Sequence, residues 1–238
     1  MKKIPVRKLE PFENDHIYVD HCLRYPDLVT KKGISDYHHF ASNGLINYLG
    51  DEERIYRAEV LDVCCGIGTF AYMLKRMTKK YISDFDWNVK GIDSSIQAIT
   101  LAKKNFPNVD FEIQDACSLN EPNEKYDIVT CIASLHHFPN PKDALTEMIR
   151  VTRPGGLMYI YDLARLDQTV IEALESFEQE GKILAPTYID SIKASLTASE
   201  MELILNDVGF TDTKVFTRDL ALNNFNHPLT EWYTVIHK

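Results

Sequence analysis

Three short stretches place chemistry-bearing residues directly after apolar runs. VLDVCCGIG, Val60 to Gly68, closes one run on a turn containing Gly66 and Gly68 and leads into a helical period. A strand that turns into a helix start in this way offers backbone N–H groups to a ligand's polar end, and glycine permits close approach. GIDSS, Gly91 to Ser95, puts Asp93 at the end of the next run, where a carboxylate can accept two hydrogen bonds from a ribose diol. The plainer reading is that Asp93 or Ser94 caps the following helix. QDAC, Gln114 to Cys117, repeats the arrangement with Asp115, which either accepts from an exocyclic amine or stands in solvent as a loop acid. In series, the three ends supply the groups a nucleoside needs. A fourth stretch, YDIVTCIASLHHFPNP, places His136 and His137 just after its apolar run, and Asp162 ends a fifth. Imidazole titrates near neutrality, and a carboxylate on the next strand can orient it as a proton acceptor. The alternative is one packed and one exposed histidine. His38 and His39 lie beside an apolar stripe and read as a solvated helix face.

The elements that must position these residues follow from periodicity. Strands are expected over Val60 to Cys64, Val89 to Ile92, Val109 to Ile113, Tyr126 to Ile132 and Leu157 to Tyr161. Between them lie helical stretches through Phe70, Met73, Leu74 and Met77, through Ile96, Ile99 and Leu101, and through Ala144, Leu145, Met148 and Ile149 after Asn140 and Pro141. Apolar strands alternating with helices predict a parallel sheet covered on both faces. Upstream, Ser35 heads an amphipathic helix through Tyr37, Phe40, Leu45 and Leu49, and residues 1–57 read as a helical cap on a domain spanning 58–238. An insert, 163–196, carries a helix with Asp167 as cap, a Val170, Leu174 and Phe177 stripe, and Gly181 at its end. In the tail, Thr197 and Glu200 form a capping box before Met201, Ile204 and Leu205, and Gly209 closes the helix. Lys214 to Thr217 and Trp232 to Ile236 are joined by too short a loop for a crossover helix and should pair antiparallel.

Taken in order, VLDVCCGIG, GIDSS, QDAC, YDIVTCIASLHHFPNP and RVTRPGG resemble the motif set of the class I S-adenosylmethionine (SAM) dependent methyltransferases. The branch is the one acting mostly on small molecules, which includes quinone-biosynthesis and natural-product enzymes. The resemblance is strong over 58–162 and moderate over SLTASEMELILNDVGF. It implies an α/β Rossmann-like sheet of seven strands in the order 3-2-1-4-5-7-6, with strand 7 antiparallel and helices on both faces. It gives Asp62, Cys64, Gly66 and Gly68 the amino-acid end of SAM, Asp93 with Ser94 the ribose, and Asp115 with Ala116 the adenine. His136, His137 and Asp162 fall on the acceptor's side as candidate catalytic residues, similar to some sugar O-methyltransferases of the family. Two features depart from the pattern. Cys64 stands where the family has its first glycine, and the stretch from Gly68 to Asp93 is long, with DFDW expected as a loop on the sheet's far side. The implied reaction is methyl transfer to an O, N or C nucleophile of a small-molecule acceptor, with S-adenosylhomocysteine as product. A non-catalytic SAM-binding domain, or an enzyme acting on protein or tRNA, are the rival readings.

Composition narrows the classes further. The 238 residues carry 26 Lys plus Arg against 35 Asp plus Glu, a formal charge of −9, which opposes holding a polyanion. The chain also lacks the (Asp/Asn)-Pro-Pro-(Tyr/Phe) motif that stacks a flipped base, and a Pro-Cys nucleophile. No nucleic-acid partner is expected. No window approaches the ~20 apolar residues of a membrane span, and MKKIPVRKLE is followed by acidic residues rather than an apolar signal core. The five cysteines lack CxxC spacing and read as reduced, strand-bound residues of a cytoplasmic protein with no metal site. Oligomeric state is left open.

Overall fold

The structure, a computed structural model, describes residues 45, 57–81, 86–179, 186–220 and 229–238. The expected helix over 35–49 lies outside these residues except for Leu45, which is helical and fully buried. The strands are β1 (Arg57–Val63), β2 (Asp86–Asp93), β3 (Asp110–Ile113), β4 (Tyr126–Ile132), β5 (Thr152–Leu163), β6 (Val215–Leu220) and β7 (Leu229–His237). Between them run α1 (Thr69–Tyr81), α2 (Ile96–Asn105), α3 (Pro141–Val151), α4 (Gln168–Gln179), α5 (Pro186–Ala194) and α6 (Ala198–Asp207). The sheet order is β3-β2-β1-β4-β5-β7-β6, as the motif resemblance implies, and β6 pairs antiparallel with β7.

The chain divides into two compact units. In the first, β1 pairs in parallel with both β2 and β4, and Val60, Leu61, Asp62 and Val63 are buried in succession. Consecutive burial means that both faces of the strand are covered, which is why the run reads as continuously apolar. β2 begins three residues before Val89 because Arg57 and Ala58 pair with Asp86 and Trp87. Of DFDW, therefore, Asp86 and Trp87 belong to the strand rather than to a loop, and Trp87 is buried. β5 likewise begins five residues before Leu157. Its first residues pair with distant chain: Gly155 N–H donates to Lys238 O at 2.7 Å and Lys238 N–H to Gly156 O at 3.0 Å.

The second unit holds the insert and the tail. Leu163, Ile171, Leu174, Ile189 and Ile192 form one core, with Leu166 packed against it. The buried residues of α4 are thus Ile171 and Leu174: Leu174 of the expected stripe faces this core, while Val170 is only half-buried and Ile171 takes its place. The side chain of Phe177 and residue Gly181 lie outside the described residues. α5, not expected from periodicity, packs onto α4 and is tied to it by the Lys193 to Glu175 ion pair. The capping box at α6 forms as expected. Glu200 N–H donates to Thr197 Oγ1 at 3.2 Å, and Thr197 N–H to Glu200 Oε2 at 2.9 Å. Glu200 also pairs with Arg165, so the cap joins the helix to the strand end. Removing the cap's acceptor with Thr197→Ala should cost about 1 kcal/mol in a denaturant melt. An unchanged midpoint would show that Arg165 alone holds this helix start.

Candidate functional site

The turn after β1 is built from three linked strand ends. Cys65 N–H donates to Ile92 O at 2.8 Å, and Gly66 N–H donates to Asp93 Oδ2 at 2.9 Å. Asp93 Oδ1 accepts from Ser95 N–H at 2.9 Å, and Asp93 O accepts from Gln114 N–H at 3.1 Å. A carboxylate oxygen has two lone pairs, so accepting from one backbone N–H does not by itself bar an Asp93 oxygen from a hydroxyl. The cap of α2 is neither Asp93 nor Ser94 but Ser95, whose Oγ accepts from Ala98 N–H at 3.1 Å; Ser94 is exposed beside it.

The glycines and Cys64 have distinct reasons. Cys64 has φ +59°, in the left-handed region where glycine is at ease and other residues lose about 1 to 2 kcal/mol. Here the backbone keeps the shape of the family's glycine while the side chain differs. Cys64 and Cys65 therefore sit in the turn, not in the strand where the cysteines were expected; Cys131 is in β4. Its hydrogen bond with Cys131, burial and the charge of Asp93 hold the Cys64 thiol well above its ordinary pKa. That keeps it neutral and unreactive. Gly68, at φ +83°, lacks a side chain for a packing reason, since a Cβ there would lie 2.5 Å from Phe111 and 2.9 Å from Ala102.

Asp62 lies at the end of β1 and is buried. Oδ1 accepts from Thr130 Oγ1 at 2.8 Å, while Oδ2 has no hydrogen-bond partner among the described residues. Burial, reinforced by the charge of Asp93 and opposed by the Thr130 hydroxyl, raises its pKa from 3.8 to about 7. A buried acceptor left over beside a glycine turn fits the ammonium of an amino-acid moiety, which would supply both the hydrogen bond and the charge. The expected cofactor residues thus suit SAM at its amino-acid end. Beyond β3, Asp115 is exposed and its Oδ1 accepts from Cys117 N–H at 2.8 Å; Ala116 beside it is buried. No group of His, Cys, Asp and Glu suited to a metal ion occurs among the described residues.

In the second unit, His136 and His137 form a single 3₁₀ turn after β4, with ring centroids 4.1 Å apart. His136 Nδ1 lies 2.6 Å from Asp162 Oδ1, and both residues are buried. Asp162 also accepts from the His136 backbone at 3.0 Å and from Leu163 N–H at 2.8 Å, so the carboxylate fixes ring and main chain together. His136 is thereby the ring that Asp162 orients. One group escaped the sequence reading. Glu231, on β7, is buried, hydrogen-bonded by the Tyr161 hydroxyl and raised to about 7. Burial is the main cause, and the charge of Asp162 adds to it, while Tyr161 and Arg218 oppose the shift. A lone glutamate in an alternating strand gave no signal.

Carboxylates at the carboxyl ends of parallel strands stand where open α/β sheets hold their ligands. Residues 60–156 match the family model described as "Methyltransferase domain". The demethylmenaquinone methyltransferase of Renibacterium salmoninarum is 27% identical over 165 residues, covering 64% of this chain and 66% of that protein. The 2-methyl-6-phytyl-1,4-hydroquinone methyltransferase of a Synechocystis species is 30% identical, over 67% of this chain and 48% of its own. The chain thus spans about half to two thirds of the length of these relatives. Among solved structures, the plantazolicin methyltransferase BpumL, in complex with a triazolic desmethylPZN analog and SAH, aligns with TM-score 0.65 and 20% identity over 90% of both chains. Residues 60–156 thus match a methyltransferase domain, and the sheet order and these relatives support reading the chain as a class I SAM-dependent methyltransferase.

Two outcomes follow from the turn. Between pH 3.8 and about 7 the folded protein holds a proton on Asp62 that the unfolded chain has lost, so Asp62 subtracts stability as pH rises through that window. Asp62→Asn should therefore gain roughly 1 to 4 kcal/mol at pH 8 and less at pH 5, while weakening S-adenosylhomocysteine binding tenfold or more in calorimetry. A loss of stability at pH 8 would contradict the burial argument. For Cys64, the Gly variant should melt at or above the parent, whereas the β-branched Val should lose about 2 kcal/mol. Equal losses would mean that thiol contacts rather than the backbone set this turn.

Proposed function

We propose that this chain transfers the methyl group of SAM to an O, N or C nucleophile of a small-molecule acceptor, leaving S-adenosylhomocysteine. The observation that carries the cofactor side of this reading is the buried, unpartnered Asp62 Oδ2 beside a turn already braced by Asp93. Asp62 meets the ammonium, the Cys64 to Gly68 turn the amino-acid end, Asp93 with Ser94 the ribose hydroxyls, and Asp115 with Ala116 the adenine. When bound, SAM supplies an already activated methyl group. What is left to the protein is alignment, exclusion of water and removal of a proton where the acceptor carries one.

His136 is the group we assign to that proton. With Nδ1 held by Asp162, the Nδ1–H tautomer is favoured, which puts the ring's lone pair on Nε2, the atom we assign to take the proton. His137 stands beside it, with ring centroids 4.1 Å apart, and is assigned with it to the acceptor. The relatives' names, which contain demethylmenaquinone and 2-methyl-6-phytyl-1,4-hydroquinone, make a hydroxylated aromatic ring the first acceptor to try. The net charge and the missing base-stacking motif oppose a nucleic-acid substrate, and the free cysteines fit a cytoplasmic setting. Among the described residues, no helix is long and apolar enough to cross a membrane.

Formation of S-adenosylhomocysteine should be assayed against a panel of hydroquinones and phenols. His136→Ala should lower turnover by about 10² to 10⁴ with cofactor affinity nearly unchanged, the range for losing a general base. Asp162→Asn should lower it as well, by releasing the ring from its tautomer. Near-parental turnover in both would show that the acceptor needs no base from this turn.

A further inference from the structure

A dense polar network surrounds the segment after β3, which carries Asp115. Gln114 begins the segment and closes it on itself: its Oε1 accepts from Asn120 N–H at 2.9 Å, and its Nε2 donates to Glu121 Oε1 at 2.9 Å and Glu112 Oε2 at 3.0 Å. Glu121 is buried and also receives Tyr126 Oη at 2.6 Å, Lys125 Nζ at 3.0 Å and an ion pair from Lys90 on β2. Burial alone would raise the pKa of Glu121, but these donors outweigh it and hold the carboxyl well below its usual range. It remains charged and fully engaged at neutral pH.

From the other side, α3 grips the same segment by its main chain. Glu147 Oε2 accepts from Leu119 N–H at 2.8 Å. The Arg150 guanidinium donates to Leu119 O at 2.9 Å, to Glu121 O at 2.7 Å and to Asn123 Oδ1 at 2.7 Å, and is itself held by Glu147. Glu124 N–H returns a bond to Arg150 O at 2.9 Å. Within the segment, Asp115 and Ser118 form an isolated bridge, so the acid sits at the head of a tight loop whose far end is anchored at five residues. A loop of ordinary surface character would not carry a planar, forked cation on two of its carbonyls.

We infer that Gln114, Glu121, Glu147 and Arg150 form a clamp that sets Asp115 for reading the base of the cofactor, so that base discrimination depends on side chains that do not touch it. The inference rests on the proposed role of Asp115 at the adenine amine. A carboxylate that accepts from an exocyclic amine rejects a base presenting a carbonyl at that position, because two acceptors then face each other. That rejection is sharp only while the carboxylate is held in place. Arg150, Glu121, Glu147 and Gln114 are therefore positioning residues.

The test compares the affinity for S-adenosylhomocysteine with that for S-inosylhomocysteine, whose base bears a carbonyl in place of the amine, by calorimetry on the full chain. The parent should prefer the adenosyl form by about tenfold or more. Arg150→Met and Glu121→Gln should narrow that preference to within about threefold. A merely structural role would weaken both ligands alike and leave the ratio untouched. Should Arg150→Met fail to fold, Arg150→Lys, which keeps the charge but loses the fork, carries the same expectation. Asp115→Asn separates the two layers. If it leaves the ratio unchanged, the assignment of Asp115 fails; if it abolishes the preference while the Arg150 and Glu121 variants keep it, the clamp is overturned.

Discussion

The carboxylate and carbonyl of Asp93 tie together three strand ends. Its side chain accepts from Gly66 after β1 and from Ser95 at the start of α2, and its carbonyl accepts from Gln114 after β3. Each partner lies where a backbone N–H would otherwise go unpaired as the chain leaves the sheet. One buried residue thus fixes the glycine turn, the helix start and the head of the Asp115 segment. The ribose role proposed for Asp93 is compatible with this bracing because a carboxylate has about four acceptor sites, and Gly66 and Ser95 take one each. A ligand arriving at Asp93 would meet a group already oriented, with little rotamer freedom left to lose.

A cost sits beside this brace. Asp62 and Glu231 are both buried carboxyls raised to about 7, one in each unit. Neither is a good choice for stability, since an apolar residue of similar size would avoid the desolvation of charge. Folded proteins tolerate such groups where binding or catalysis uses them. For Asp62 the leftover oxygen is the atom proposed to meet the cofactor's ammonium. For Glu231 the Tyr161 hydroxyl already answers part of the demand.

What the sequence disclosed and what it hid divide along contact range. Runs such as Tyr126–Ile132, the Thr197 and Glu200 capping box, and Asp93 at a strand end are local patterns, each written within a few residues, and they were legible. The seven-strand order came from the motif resemblance rather than from any local pattern. Features made by distant partners were not legible. β5 starts early because Lys238 pairs with it, Glu231 acquires meaning only beside Tyr161 and Asp162, and Glu121 is a loop acid until Lys90 and Tyr126 close on it. α5 is nine residues long, too short for periodicity to declare, and depends on α4 for its apolar partner. The left-handed Cys64 was visible only as a departure from glycine; the φ angle shows what that departure costs.

A crystal structure with S-adenosylhomocysteine bound addresses most directly the claim that the ends of β1, β2 and β3 hold the cofactor. The ligand's ammonium should lie within hydrogen-bond distance of Asp62 Oδ2, its ribose hydroxyls on the Asp93 carboxylate and its amine on Asp115, with the Gly66 to Asp93 bond retained. A ligand whose ammonium avoids Asp62 and whose ribose is held by other residues would contradict it.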